Sequence, residues 1–305
     1  MDKLNDITFR IIEKFFYLLG SLPREQAHHL SDLLGRLWFR FDIRHRRVAL
    51  DNLNRAFGQE MGPGEIEGIA RRVFKNLILV LFETGWCLHL RPEDFDRYFK
   101  IKNRLSGNEN DLKSKGVLIL TGHVGNWELT PIISAMTEHT AHVLYRPMDY
   151  APLERFFAQN RTRFGAKLIS KDASLLRVFK ALKRRESVVM LLDQNVGWHK
   201  GVFVDFFGRR ACTSYGLAFI ALKTGAAVVP VFVVRDADGA GFTAEIGPEI
   251  PLIKTGDHQK DLEENTQRYN DALEAVIRRH PDQWFWVHRR WKTRPYSPWP
   301  RTDHS

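Results

Sequence analysis

Apolar positions over the first ninety residues recur at helical spacing. Leu4, Ile7, Ile11, Ile12, Phe15, Phe16, Leu18 and Leu19 mark one stripe, and Gly20 is a C-terminal stop. Ser21 caps a second predicted helix with Pro23 in its first turn and apolar positions at Ala27, Leu30, Leu33, Leu34, Leu37, Trp38 and Phe41. A basic helix over about 44–57, a Gly-Pro-Gly turn at 62–64 and a long helix over about 65–89 follow. From about residue 98 the rhythm changes to short apolar runs, at 117–120, 141–145, 167–169, 188–192 and 228–234, with helical patterns between most of them. That alternation predicts βαβ units on a largely parallel sheet. A helix over 259–280 and an aromatic, basic tail close the pattern. The expected fold is therefore α/β, a largely parallel sheet flanked by helices. A helical N-terminal subdomain over 1–95 joins an α/β domain over 96–305 as one continuous unit.

Composition narrows the picture. Hydrophobic residues are 44% of the 305, enough to bury a core, and two distant cysteines, Cys87 and Cys212, exclude a disulfide framework or a cysteine metal site. The formal charge of +10 draws the chain to polyanions, whether nucleic acid, anionic lipid headgroups or phosphorylated substrates. No helix-turn-helix, RNA-binding or zinc signature accompanies it, so no nucleic-acid partner is expected. No apolar stretch reaches the roughly 18–20 residues that span a bilayer; the nearest run over 11–22 and 77–82. Stripes of large apolar residues such as those of the first helices face either a core or a bilayer interface with Arg and Lys at its rim. Phe15 to Leu19 is apolar nearly all round, which raises the membrane reading, with an anionic membrane surface as partner, for the first helix in particular. No secretory signal opens the sequence.

Candidate chemistry concentrates in Thr121-Gly122-His123-Val124-Gly125-Asn126-Trp127-Glu128, which follows a strongly apolar strand and precedes a helical pattern. Ligands of open α/β sheets bind beyond the carboxyl ends of strands, where this segment lies. His123 and Glu128 are five residues apart, about 140° around a helix. They meet only if the His sits in the turn and the Glu in the first helical turn, and two glycines permit such a path. A carboxylate holding one imidazole nitrogen leaves the other free to take a proton. Asp193-Gln194-Asn195 follows another buried strand, so it faces the same edge and is assigned to substrate positioning. Other constellations fail: Gly62 to Gly68 has the wrong spacing for a dinucleotide loop, Ser214 lacks the first glycine of a nucleophile elbow, and His28-His29 has no partner ligands. No metal and no cofactor are expected.

The His123-x4-Glu128 pattern resembles that of the glycerolipid acyltransferase superfamily. Its surroundings, Gly-His-Val-Gly-Asn-Trp-Glu, resemble the late lipid A acyltransferases, the lauroyl and myristoyl transferases of Gram-negative bacteria. Further blocks agree in order: Tyr145-Arg146-Pro147 with Asn160 to Gly165, then Asp193-Gln194-Asn195 with Gly201 to Gly208 and Ala211-Cys212-Thr213. Thr224-Gly225-Ala226, Val229-Pro230 and the tail from Pro281 to Lys292 complete the set. The likeness runs from about residue 45 to 295. It departs from the broader superfamily where a Pro-Glu-Gly block is common, which favours the lipid A branch.

The resemblance implies transfer of a fatty acyl chain from acyl carrier protein, or acyl coenzyme A, to a hydroxyl of a membrane glycolipid such as a lipid A precursor. His123 would be general base, Glu128 its orienting carboxylate, and Arg161, Arg163 and Arg146 the candidate oxyanion or substrate donors. The implied location is the cytoplasmic face of a bacterial inner membrane, peripheral or monotopic. A lysophospholipid or other glycolipid acceptor, or a non-catalytic lipid-binding role, are the alternatives.

Overall fold

A computed structural model describes residues 2–103, 116–137, 140–171 and 174–295. Helices α1 (Asp2–Gly20), α2 (Arg24–Phe41), α3 (Ile43–Phe57) and α4 (Pro63–Trp86) come first, as their periodicity predicts. Pro63 opens α4 at a position where its missing N–H costs nothing. Asp42 ends α2 and caps α3 by accepting from the His45 amide at 3.0 Å. Both α1 and α2 pack against α4. The outer stripe remains exposed: Leu4 at 70%, Phe15 at 57% and Phe41 at 72%, with Ile7, Ile11, Leu18, Leu33 and Leu37 between them.

The α/β region holds seven strands in the order β1-β9-β8-β2-β5-β3-β4. Their ranges are β1 Phe99–Asn103, β2 Val117–Thr121, β3 Ala141–Tyr145, β4 Lys167–Ser170, β5 Ser187–Leu191, β8 Ala227–Arg235 and β9 Phe242–Ile246. The five consecutive strands β8, β2, β5, β3 and β4 are mutually parallel, whereas β9 runs antiparallel to β8 and carries β1 parallel to itself. The five apolar runs predicted as strands are this parallel block. Every residue of β8 is buried, which is why it reads as an unbroken apolar run rather than an alternation. Pro230 is tolerated inside it because pairing passes there from β2 to β9.

Helix α5 (Phe95–Tyr98) precedes β1, α6 (Thr130–Met136), α7 (Ala151–Thr162), α8 (Ser174–Lys183) and α9 (Gly216–Thr224) lie between strands, and α10 (His258–Arg279) follows β9. A separate antiparallel hairpin, β6 (Gly201–Phe206) with β7 (Arg209–Ser214), packs on α10. The largest core cluster draws on both regions, joining Phe39, Leu53, Val73 and Phe74 of the first helices to Leu118, Leu120, Val188, Phe232, Leu273 and Trp284. The helical segment and the sheet thus share one interior.

Candidate active site

Because β2, β5, β3 and β4 are parallel, their carboxyl ends share one edge of the sheet. His123 stands two residues past β2 and Asp193 two residues past β5, the adjacent strand. The Asp193 carboxylate is fully buried and accepts three hydrogen bonds. They come from the His123 amide at 3.0 Å, the His123 ring Nδ1 at 2.9 Å and the Trp284 indole Nε1 at 2.8 Å. Gly122 allows that approach, since a Cβ there would stand 3.2 Å from the Asp193 side chain. Burial pushes the Asp193 carboxyl up, but the charge and hydrogen bond of His123 outweigh it and, helped by Trp284, hold it well below the usual carboxylate range. An ionised Asp193 can only accept, so Nδ1 of His123 carries the proton and Nε2 presents its lone pair. Trp127 packs edge-on against the imidazole, with ring centres 4.9 Å apart.

The expected pairing of His123 with Glu128 does not form. Glu128 lies in a short 3-10 helix, Trp127–Leu129, and its carboxylate is held in a fork by Arg161, with both contacts at 2.7 Å. A guanidinium satisfies both carboxylate oxygens at once, which a single imidazole nitrogen cannot do. Burial lowers the Arg161 pKa, yet the Glu128 bonds more than compensate and leave it above the ordinary value. Nε and one Nη of Arg161 are engaged by Glu128, and the other Nη has no partner among the described residues. Arg161 therefore stays charged, with a direction fixed by Glu128.

His123, Glu128, Arg146, Arg161, Gln194 and Asn195 all line one cavity of about 710 Å³, within the roughly 300–1,000 Å³ of ligand-sized clefts. Its walls continue in Val143, Leu144, Val189, Met190, Leu192, Gly216, Phe219 and Ile220, so a polar mouth opens on an apolar interior. Arg163 stands elsewhere. Its guanidinium donates to the Leu88 carbonyl at 3.0 Å and borders a different cleft with Phe95 and Phe164. Asn195 has a structural duty besides lining the cavity, since it exchanges hydrogen bonds with Thr293 at 3.1 and 3.0 Å and ties the tail to the β5 loop.

Several further residues position this turn. Asn126, fully buried, accepts from the Glu128 amide at 3.1 Å and donates to Glu83 of α4 at 2.8 Å. Glu83 in turn holds Arg235 at the end of β8 through two contacts. Gly125 has φ +63°, and a Cβ there would collide with the Val233 carbonyl. Its amide donates to the Gln283 carbonyl at 2.8 Å, and the Phe285 amide donates to the His123 carbonyl at 3.1 Å. The tail thus pairs directly with the His123 turn.

A half-buried histidine held by a buried carboxylate and a clamped guanidinium line one largely apolar cavity, and comparison with known proteins decides the family. The model of the bacterial lipid A biosynthesis acyltransferases matches residues 3–293. The chain belongs to this family.

Its relatives include the lipid A biosynthesis lauroyltransferase of Escherichia coli K12, 28% identical over 283 residues, covering 92% of this chain and 89% of that one. The palmitoleoyltransferase of the same organism is 27% identical over 280 residues, with the same two coverages. Its myristoyltransferase is 22% identical over 274 residues, 88% of this chain and 83% of that one. This lipid A acyltransferase homologue is accordingly an acyl-transferring enzyme, and the α/β expectation holds. No group of metal-ligating side chains occurs among the described residues. No helix of the described residues is long and apolar enough to cross a membrane.

Proposed function

We propose that this enzyme moves a fatty acyl chain from an acyl carrier protein thioester to a hydroxyl of a lipid A precursor, with His123 as general base. The observation that carries the reading is the His123–Asp193 pair, whose free Nε2 belongs to a residue lining the cavity. A hydroxyl is a poor nucleophile until its proton is removed, and a positioned base contributes about 10²–10⁴-fold. Nε2 takes the hydroxyl proton as the oxygen attacks the thioester carbonyl, and Asp193 stabilises the imidazolium that forms. The carbonyl oxygen becomes an oxyanion, for which the free Nη of Arg161 is the donor, aimed by Glu128. Collapse of the tetrahedral intermediate forms the ester and breaks the C–S bond. The imidazolium returns its proton to the departing thiolate. The apolar walls hold the acyl chain, whereas Gln194 and Arg146 face the polar end of the cavity.

The exposed apolar stripe of α1 and α2, interleaved with Arg10, Lys14, Arg36 and Arg40, fits a bilayer interface with anionic headgroups at its rim. The protein would lie on the cytoplasmic face of the inner membrane, the side on which acyl thioesters are made. Residues 1–95 would be the part that docks.

The test is acyl transfer by purified full-length protein in detergent micelles, with acyl carrier protein thioesters and either a lipid A precursor or a lysophospholipid, products read by mass spectrometry. Transfer to the lipid A precursor that disappears in His123→Ala is the expected result. Transfer only to lysophospholipid overturns the acceptor, and undiminished transfer by the variant overturns the role of His123.

A further inference from the structure

The cavity has an imbalance of charge that acyl transfer itself does not require. Among the described residues its lining holds four permanent cations, Arg146, Arg161, Lys171 and Lys200, against one carboxylate, Glu128, which Arg161 already neutralises. The remaining three are exposed. Among the described residues the one carboxylate paired with Arg146 is Asp149, at 3.5 Å on an open surface where an ion pair contributes little. Among the described residues neither Lys171 nor Lys200 has a carboxylate partner.

Topology fixes where two of them stand. Arg146 and Lys171 immediately follow β3 and β4, two and three strands from β2 along the same carboxyl edge as His123. Strands are spaced about 4.8 Å apart, so these cations lie on the order of 10 and 14 Å from the base. Lys200 enters the same cavity from the other covering element, the start of the β6–β7 hairpin. Three exposed cations, two without a carboxylate partner among the described residues and one only weakly paired, converge on a cleft with low-dielectric walls, concentrate field there and attract a multiply charged anion.

We infer that Arg146, Lys171 and Lys200 form a phosphate subsite at the cavity mouth, which holds a phosphate ester of the acceptor lipid roughly 10–14 Å from the hydroxyl being acylated. This rests on the acyl-transfer reading above and adds to it a requirement on the acceptor's headgroup. An anion of two charges with three free oxygens suits this arrangement better than a carboxylate, since it can accept from all three side chains at once. The subsite also fixes orientation: with the phosphate anchored on this side, only hydroxyls within that span can reach Nε2.

The experiment uses the full-length enzyme in detergent micelles with one acyl carrier protein thioester and two acceptors, a lipid A precursor with its phosphates and the same molecule after phosphatase treatment. The readout is the ratio of kcat/KM for the two acceptors, in wild type, Lys171→Gln, Lys200→Gln and the double variant. Each lysine removed should lower that ratio about fivefold to tenfold, a charge-assisted hydrogen bond at an exposed site, and the double variant should flatten the salt dependence of the phosphorylated acceptor. Both side chains are exposed, so the fold is not at risk.

A parallel arm compares acyl phosphopantetheine with acyl pantetheine as donors. Loss of discrimination there, with the acceptor ratio unchanged, would assign the subsite to the donor's phosphate and overturn the acceptor assignment. Unchanged ratios in both arms would overturn the subsite altogether. Wild-type turnover in the same assay reports separately on acyl transfer, so failure of that underlying reading is seen as no product from either acceptor.

Discussion

Asp193→Asn separates the two carboxylates most cleanly. The Oδ2 position of Asp193 receives two donors, the His123 amide at 3.0 Å and Trp284 Nε1 at 2.8 Å, so the amide oxygen of Asn must occupy it. The NH2 group then faces His123 Nδ1 at the 2.9 Å site. A donor against Nδ1 forces the ring proton onto Nε2, and the lone pair meant for the substrate hydroxyl is lost. Two of the three hydrogen bonds survive and a buried charge disappears, so the fold should tolerate the change. Catalysis should not: an orienting Asp→Asn change that inverts the tautomer costs about 10³–10⁴ in kcat, or roughly 4–5.5 kcal/mol of transition-state stabilisation. Single-turnover acyl transfer in micelles, with a thermal melt beside it, measures both quantities. If Asp193→Asn stays within about tenfold of wild type while Glu128→Gln collapses, Glu128 is the partner of His123 during turnover and the assignment made from the geometry is refuted.

Arg161→Lys keeps the charge but not the two-pronged grip of Glu128, and should lower kcat about 10²–10³-fold with a smaller change in KM, read from steady-state rates. Gly125→Ala forces a side chain into φ +63° and against the Val233 carbonyl, so a loss of about 2–4 kcal/mol should appear as a Tm several degrees lower. The depressed pKa of Asp193 makes a stability contribution that is present above its unfolded value near 4 and lost as pH falls through and below it. Melts from pH 7 downward should therefore show wild type losing more stability than Asp193→Asn. Replacing Phe15 and Leu18 with Ser removes two side chains more than half exposed on α1, and should weaken co-sedimentation with anionic vesicles about tenfold or more while leaving the melt unchanged.

The helices and the parallel block were legible because periodicity survives wherever one face or both faces are buried. Strands β1, β9 and the β6–β7 hairpin were not, since Lys100 and Lys102 in β1 and Asp205, Arg209 and Arg210 in the hairpin break the apolar runs. They are positioned by pairing with distant partners rather than by local pattern. At the site, residue identity and sheet edge could be read, because strand ends announce themselves. Partner choice could not. Whether His123 meets Glu128 or Asp193 depends on β5 lying beside β2, a contact across seventy residues of sequence that no local spacing encodes. Arg163 illustrates the same limit from the other side: two residues beyond Arg161, it points out of the cavity because α7 ends there.

Trp284 donates to the same carboxylate at position 193 that holds the histidine at 123, and the neighbouring backbone pairs with the histidine's own turn. The His123–Asp193 pair therefore does not reach its full set of contacts while the polypeptide is still being made through its sheet. A ribosome-bound nascent chain that has released every strand, through Ile246, still lacks the Trp284 indole, one of the three donors to Asp193, and the tail backbone that pairs with the His123 turn. Acyl transfer would switch on only once α10 and the tryptophan-rich segment have emerged. A protease cut just before Trp284 should likewise abolish turnover while leaving the parallel sheet standing.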